Sequence, residues 1–202
     1  SADSMLNSIN GSTSAATQML KAKVSKTGYE NTDKSSEDLQ NAIDKLAGKK
    51  STVFKDARES KDTSKVTAAA QELIDKYNSL VEVMSKTSSS LDEFYKKALK
   101  GLPESIKESL EKVGITYNSD GTLEVDSDKL KKADVDSLEK IFDPTPVELN
   151  TVTDSEFMKK LSFVTDRIES NAEANLQSVS STYSSTADIM SSFNSSKYDF
   201  LG

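Results

Sequence analysis

Cysteine, histidine and tryptophan are absent from this 202-residue chain, and proline occurs only 3 times and glycine 7 times. Without cysteine there are no disulfides and no thiolate metal sites, although that leaves the compartment open. Without histidine as well, the commonest general base and the commonest transition-metal ligands are missing. No apolar run approaches the roughly 18 residues a membrane-spanning helix needs, and no charged start followed by an apolar middle marks a secretory signal. Apolar residues make up 35% and charged residues 29%, which predicts a thin core and an elongated shape. The net charge of −7, with Lys and Glu interspersed, argues against nucleic acid as a partner. Scarce Gly and Pro leave long helices uninterrupted, and the chain length suits one domain or two small ones.

The longest such stretch is 154–193. Apolar side chains recur at Phe157, Leu161, Val164, Ile168, Ala172, Leu176, Val179, Tyr183, Ala187 and Met190. Steps of three and four predict a helix. Thr153 and Glu156 form a capping-box signal at its start. Forty residues would span about 60 Å, so this helix must pack along others. From Gln177 to Ser196 Ser and Thr dominate, and these are poor helix formers. The stripe through Val179, Tyr183, Met190 and Phe193 persists there, which predicts a segment that orders when packed or assembled.

Earlier in the chain, Met5, Ile9, Ala16, Leu20 and Val24 mark a marginal helix over 3–24, closed by a loop at 28–33. Ser35 or Ser36 caps a second helix with Leu39, Ile43 and Leu46, stopped at Gly48. Residues 49–62 read as a connection. A helix over 63–85 carries Val66, Ala70, Leu73, Tyr77, Leu80 and Met84 at alternating steps of four and three. Ser90 and Glu93 suggest a capping box for the next helix, which Gly101 ends before Pro103 opens another holding Ile106, Leu110 and Val113. The period then changes. Ile115–Tyr117 and Thr122–Val125 flank an Asp120-Gly121 turn, a strong hairpin signal. Asp126 and Asp134 cap short helices holding Leu130 and then Leu138, Ile141 and Phe142, and Pro144 and Pro146 lead extended into the long helix. The fold expected is mainly α: an elongated helical bundle or coiled coil with one small hairpin and a long C-terminal helix. The divisions are 1–62 (helical segment and linker), 63–150 (helical body with the hairpin near 115–125) and 151–202 (long helix and tail).

Catalysis finds no support. Glu104, Glu108 and Glu111 share a helix face, but Lys107 and Lys112 lie beside them, as on a solvated surface. The 116–127 loop resembles the middle of an EF-hand, yet Thr116 and Ser127 stand where calcium needs acidic ligands. No glycine pattern cradles phosphate. No catalytic residue, cofactor or metal is expected.

Several segments together carry a family resemblance. Val113-Gly114-Ile115-Thr116, Asp120-Gly121-Thr122-Leu123, Asp126, Lys129-Leu130 and Ile141-Phe142 follow one another in the order and spacing seen late in flagellar hook-associated protein 2, the bacterial filament cap family. Leu73 through Leu80, with Tyr77-Asn78, is similar to that family's YN-containing helix, and the long terminal helix stands where the family places a coiled-coil leg. The likeness runs from Val66 to Phe193. Only residues 1–62 precede it, which fits either a minimal relative without the family's outer domains or part of a longer chain. The resemblance implies an exported, non-enzymatic axial protein outside the cell, on the bacterial flagellum. It implies oligomerisation at the distal filament end, with its own copies and flagellin or other axial proteins as partners and no membrane insertion. The alternative is a secreted helical adhesion module. The assembly residues expected are Leu73, Tyr77, Leu80, Met84, Leu161, Val164, Ile168, Leu176, Val179, Tyr183, Met190 and Phe193. Because the family's chain ends pair, Met5, Ile9 and Leu20 are expected against the Leu161–Phe193 stripe.

Overall fold

The computed structural model describes residues 2–143 and 156–198. Side-chain surroundings are described for 14–143 and 156–181 and for Ser184, Asp188 and Ser191. The helices are α1 (Ala2–Ala47), α2 (Val53–Ser60), α3 (Ser64–Met84), α4 (Ser90–Ser105), α5 (Lys107–Lys112), α6 (Ser127–Lys132), α7 (Val135–Phe142) and α8 (Phe157–Tyr198). Between α5 and α6 lie β1 (Ile115–Tyr117) and β2 (Leu123–Val125), paired antiparallel with Ile115 opposite Val125 and Tyr117 opposite Leu123. The mainly α architecture with one hairpin and a long C-terminal helix is as the residue pattern predicts.

The chain divides into two compact units, Thr32–Ser170 and the pairing of Ser1–Asn31 with Asn171–Gly202. The first holds a continuous core. Leu39, Ile43 and Leu46 of α1, Leu73, Tyr77, Leu80 and Met84 of α3, Leu138 and Phe142 of α7, and Leu161 and Ile168 of α8 are all buried in it. The hairpin and α6 contribute Ile115, Leu123 and Leu130. Exposed ion pairs run along its surface. The Arg58 guanidinium of α2 meets Asp136 at 2.8 Å and Glu139 at 2.7 Å on α7, and Lys45 of α1 meets Glu72 of α3 at 2.8 Å.

Local chemistry explains the hairpin–α6–α7 block. Gly121 takes φ +88 in the turn and Gly114 φ +89 at the entry to β1, a region that only glycine occupies without strain. The Asn118 amide donates to the Thr122 carbonyl at 2.9 Å and the Asp126 amide to Gly114 at 2.8 Å, closing the two ends of the ladder. The Asp126 side chain then accepts from the Lys129 amide and Asp134 from the Ser137 amide, capping α6 and α7.

Several local expectations are corrected. Helix α1 runs unbroken through Gly28 and 28–33. An interior glycine costs only about 1 kcal/mol relative to alanine, and the buried positions Thr32, Ser36, Leu39, Ile43 and Leu46 keep helical steps beyond it. Residues 53–60, read as part of a connection, form α2, because Phe54 and Ala57 bury one face. The capping box at α4 is Ser89 with Asp92, one residue before the expected pair. Helix α4 continues through Gly101 and Pro103 to Ser105. Its turn ends at Ile106, whose amide bonds Pro103 O at 3.2 Å. Leu20 and Val24 do not lie on an inward stripe; they are 64% and 65% exposed. In the unit formed by the chain ends, Ala22 of α1 is buried, with Ala15, Met19 and Tyr29 half-buried at heptad steps. The inward face is therefore rotated away from Leu20. The α8 backbone stays helical through its Ser/Thr-rich half. The cap expected at Thr153, the connection at Pro144 and Pro146, and the side chains of Met5 and Ile9 lie outside the described residues.

Candidate assembly surface

The α3 members of the expected set are interior. Leu73, Tyr77, Leu80 and Met84 are buried in the core of the Thr32–Ser170 unit. Tyr77 also holds the hairpin: its hydroxyl donates to the Gly121 carbonyl at 2.8 Å, and burial pushes its ionisation far above the ordinary tyrosine value. Beside it, Asn78 pairs like a third strand. Its Nδ2 donates to the Leu123 carbonyl at 2.7 Å and its Oδ1 accepts from the Leu123 amide at 2.8 Å. In the sequence Asn78 stands next to Tyr77 within a motif, but nothing local identifies Leu123 as its partner.

On α8, Leu161 and Ile168 are buried and Val164 is half-buried within the same unit. Leu176 and Val179 are half-buried in the unit of the chain ends. The α8 backbone extends through Tyr183, Met190 and Phe193, whose side chains lie outside the described residues.

Large apolar side chains also face solvent. On α4, Leu91 and Phe94 are exposed, with Ala98 half-buried on the same side. Steps of three and four place these on one helical face beside the buried one. The Phe94 ring packs edge-on to Tyr95, centroids 5.5 Å apart. On α8, exposed Phe163 lies under the Arg167 guanidinium at 5.2 Å, a cation–π contact. In the other unit Leu20 and Val24 are one turn apart on α1. The helical pattern of Leu91, Phe94, Tyr95, Ala98 and Leu99 does not by itself separate this face from that of the buried Leu99.

Polar chemistry is sparse. An open groove of about 450 Å³ lies between the start of α3 and α6, lined by Asp62, Ser64, Thr67, Gln71, Ser127 and Lys131 among others. The Thr67 hydroxyl donates to the Ser64 carbonyl at 3.1 Å. Among the described residues no helix is long and apolar enough to cross a membrane.

Among the described residues, three carboxylates sit below their ordinary range because neighbouring groups donate to the charged form. Asp134 is held down by the Ser137 amide and hydroxyl, Asp120 by the Thr122 hydroxyl and amide, and Asp62 by Ser64. A folded-state value below the unfolded one stabilises at pH above the unfolded value, and the contribution is lost as pH falls through the folded value. The urea midpoint should therefore fall as pH drops from about 5 to about 2. Asp134→Asn, which keeps an accepting oxygen at the α7 cap, should shrink that fall. A midpoint flat across this window would count against these caps.

A search of curated proteins and a search of solved structures each return no match. The family model for the flagellar hook-associated protein 2 C-terminus matches residues 103–200. That span takes in the end of α4, α5, the hairpin, α6, α7 and α8, and within it lie the Gly114, Asp120-Gly121 and Asp126 positions whose geometry is described above. Over residues 103–200 this chain is therefore similar to the C-terminal region of flagellar hook-associated protein 2.

Proposed function

We propose that this chain is a structural axial protein of the bacterial flagellum that assembles at the distal filament end, outside the cell, and guides flagellin polymerisation. The observation that carries this reading is the family match over residues 103–200. Uncovered apolar stripes on thin helices add support, because such surface gains free energy when a partner covers it. In this reading the buried members of the expected set, Leu73, Tyr77, Leu80, Met84, Leu161 and Ile168, hold the helical body together. Val164, Leu176, Val179, Tyr183, Met190 and Phe193 of α8 are the members of the set assigned in this reading to assembly with further copies or other axial proteins. Marginal Ser-rich segments suit export, since they unfold at low cost and regain order on assembly.

The test is a strain lacking this chain, with flagellin measured in filaments and in the medium. Loss of filaments with flagellin monomer accumulating outside supports the cap role. Normal filaments would remove it and leave an adhesive module as the reading to pursue.

A further inference from the structure

Within the Thr32–Ser170 unit, α1 and α8 meet along a seam of heptad steps. Thr32, Ser36, Leu39, Ile43 and Leu46 are buried on α1, and Met158, Leu161, Thr165 and Ile168 on α8. A seam that repeats every seven residues accepts more than one alignment, because a slip returns seam positions to seam positions. Hydroxyls make the apolar pattern still less specific. Ser36 and Thr165 are fully buried, but the Ser36 hydroxyl donates to Thr32 O at 2.8 Å and the Thr165 hydroxyl to Leu161 O at 2.6 Å. Both bonds stay within one helix, so they carry no information about which residue lies opposite. Asp33 and Glu169 bring carboxylate oxygens within 4.8 Å of each other across the seam, and like charges do not hold an alignment together.

Gln40 is different. Its Nε2 donates to the Ser162 backbone carbonyl at 2.7 Å, and the Ser162 hydroxyl donates back to Gln40 Oε1 at 3.1 Å. Both side chains are half-buried, so a slip by one turn would strand polar groups at the seam. On its other flank α1 is tied to α3 by Lys45–Glu72 and Lys76–Asp38, whereas α8 enters the core through the non-directional apolar contacts of Phe157, Met158, Leu161 and Ile168. We propose that the reciprocal Gln40–Ser162 pair is a register lock that selects one antiparallel alignment of α8 on α1. A polar pair in a helical seam commonly sets register at some cost in stability.

The chain has no cysteine, so spin labels can be placed uniquely at Asp44→Cys and Ser170→Cys, both exposed and offset along the helix axes so that a slip changes their separation, which is read by pulsed dipolar spectroscopy. With the pair intact, one narrow distance is expected. In the Gln40→Leu, Ser162→Ala double variant the melting temperature should be unchanged or higher, because an apolar pair replaces a polar one. A second distance should appear, displaced by at least about one helical turn, ~5 Å. Ser162→Ala alone, which removes one of the two hydrogen bonds, should give a smaller second population. A single unchanged distance in the double variant overturns the proposal, as does a lowered melting temperature with the distance unchanged. Should the double variant lose cooperative melting, the single variant decides, and one unbroadened distance there overturns the lock.

Discussion

Replacing Asn78 with leucine is expected to destabilise the Thr32–Ser170 unit by roughly 2–4 kcal/mol, because it strips partners from two main-chain groups at once. The Leu123 amide and carbonyl point away from β1 and meet only the Asn78 carboxamide, at 2.8 and 2.7 Å. Leucine matches asparagine in bulk and makes neither bond. Leu123 itself is buried, so water replaces the lost partners poorly. Asn78→Asp should not rescue, since a carboxylate can accept from the amide but offers no proton to the carbonyl. For a chain of this size, a loss of that order lowers Tm by about 5–12 °C. Urea unfolding gives the free energy, and amide exchange at Leu123 localises it. Exchange at Leu123 unchanged, with a midpoint within about 0.5 kcal/mol of the parent, would show that Asn78 does not hold the hairpin. Tyr77→Phe removes a single bond, to Gly121, and is expected to cost about 1–2 kcal/mol.

Gly114→Ala should be comparably damaging, at about 2–4 kcal/mol, for a steric reason. Gly114 has φ +89, where an L side chain is strained, and an added Cβ would stand 3.0 Å from Asp126 O, Leu130 N and Lys129 Cβ. Two of those atoms are backbone at the α6 cap and cannot move without undoing it. Gly121 is the internal comparison. Its φ of +88 carries the same strain, but the added Cβ would meet Lys100 Cδ and Cγ at 2.5 and 2.6 Å. A lysine stem can swing aside. Gly121→Ala is therefore expected to cost only the conformational term, about 1–2 kcal/mol. Equal losses at the two glycines would mean that close approach of α6 to the β1 entry contributes nothing.

Residues with local causes were legible in the sequence. Asp120-Gly121 announced the turn, Asp126 and Asp134 announced their helices, and the alternating steps from Val66 to Met84 announced α3, because each signal acts within about one turn of chain. Misreadings arose where a weak local preference met a tertiary demand. Gly28 looked like an ending, yet the seam that continues through Thr32 and Ser36 outweighs the cost of one glycine. Val53 and Phe54 are an isolated apolar pair in the sequence, and only α3 and α7 supply the surface against which α2 buries Phe54 and Ala57. Leu20 and Val24 looked like core because any apolar pair one turn apart does; periodicity gives the existence of a face but not which of two faces turns inward.

By itself, then, the sequence determined the mainly helical class, the hairpin with its glycine and aspartate chemistry, the family resemblance, and the absence of cysteine and histidine. Only the tertiary structure decided what Asn78 and Gln40 do, since their partners lie 45 and 122 residues away. It also decided which apolar side chains this chain buries and which, like Leu91 and Phe94, it leaves exposed. Local rules act through neighbouring backbone atoms, whereas the identity of a distant partner is fixed by the packing of the whole core.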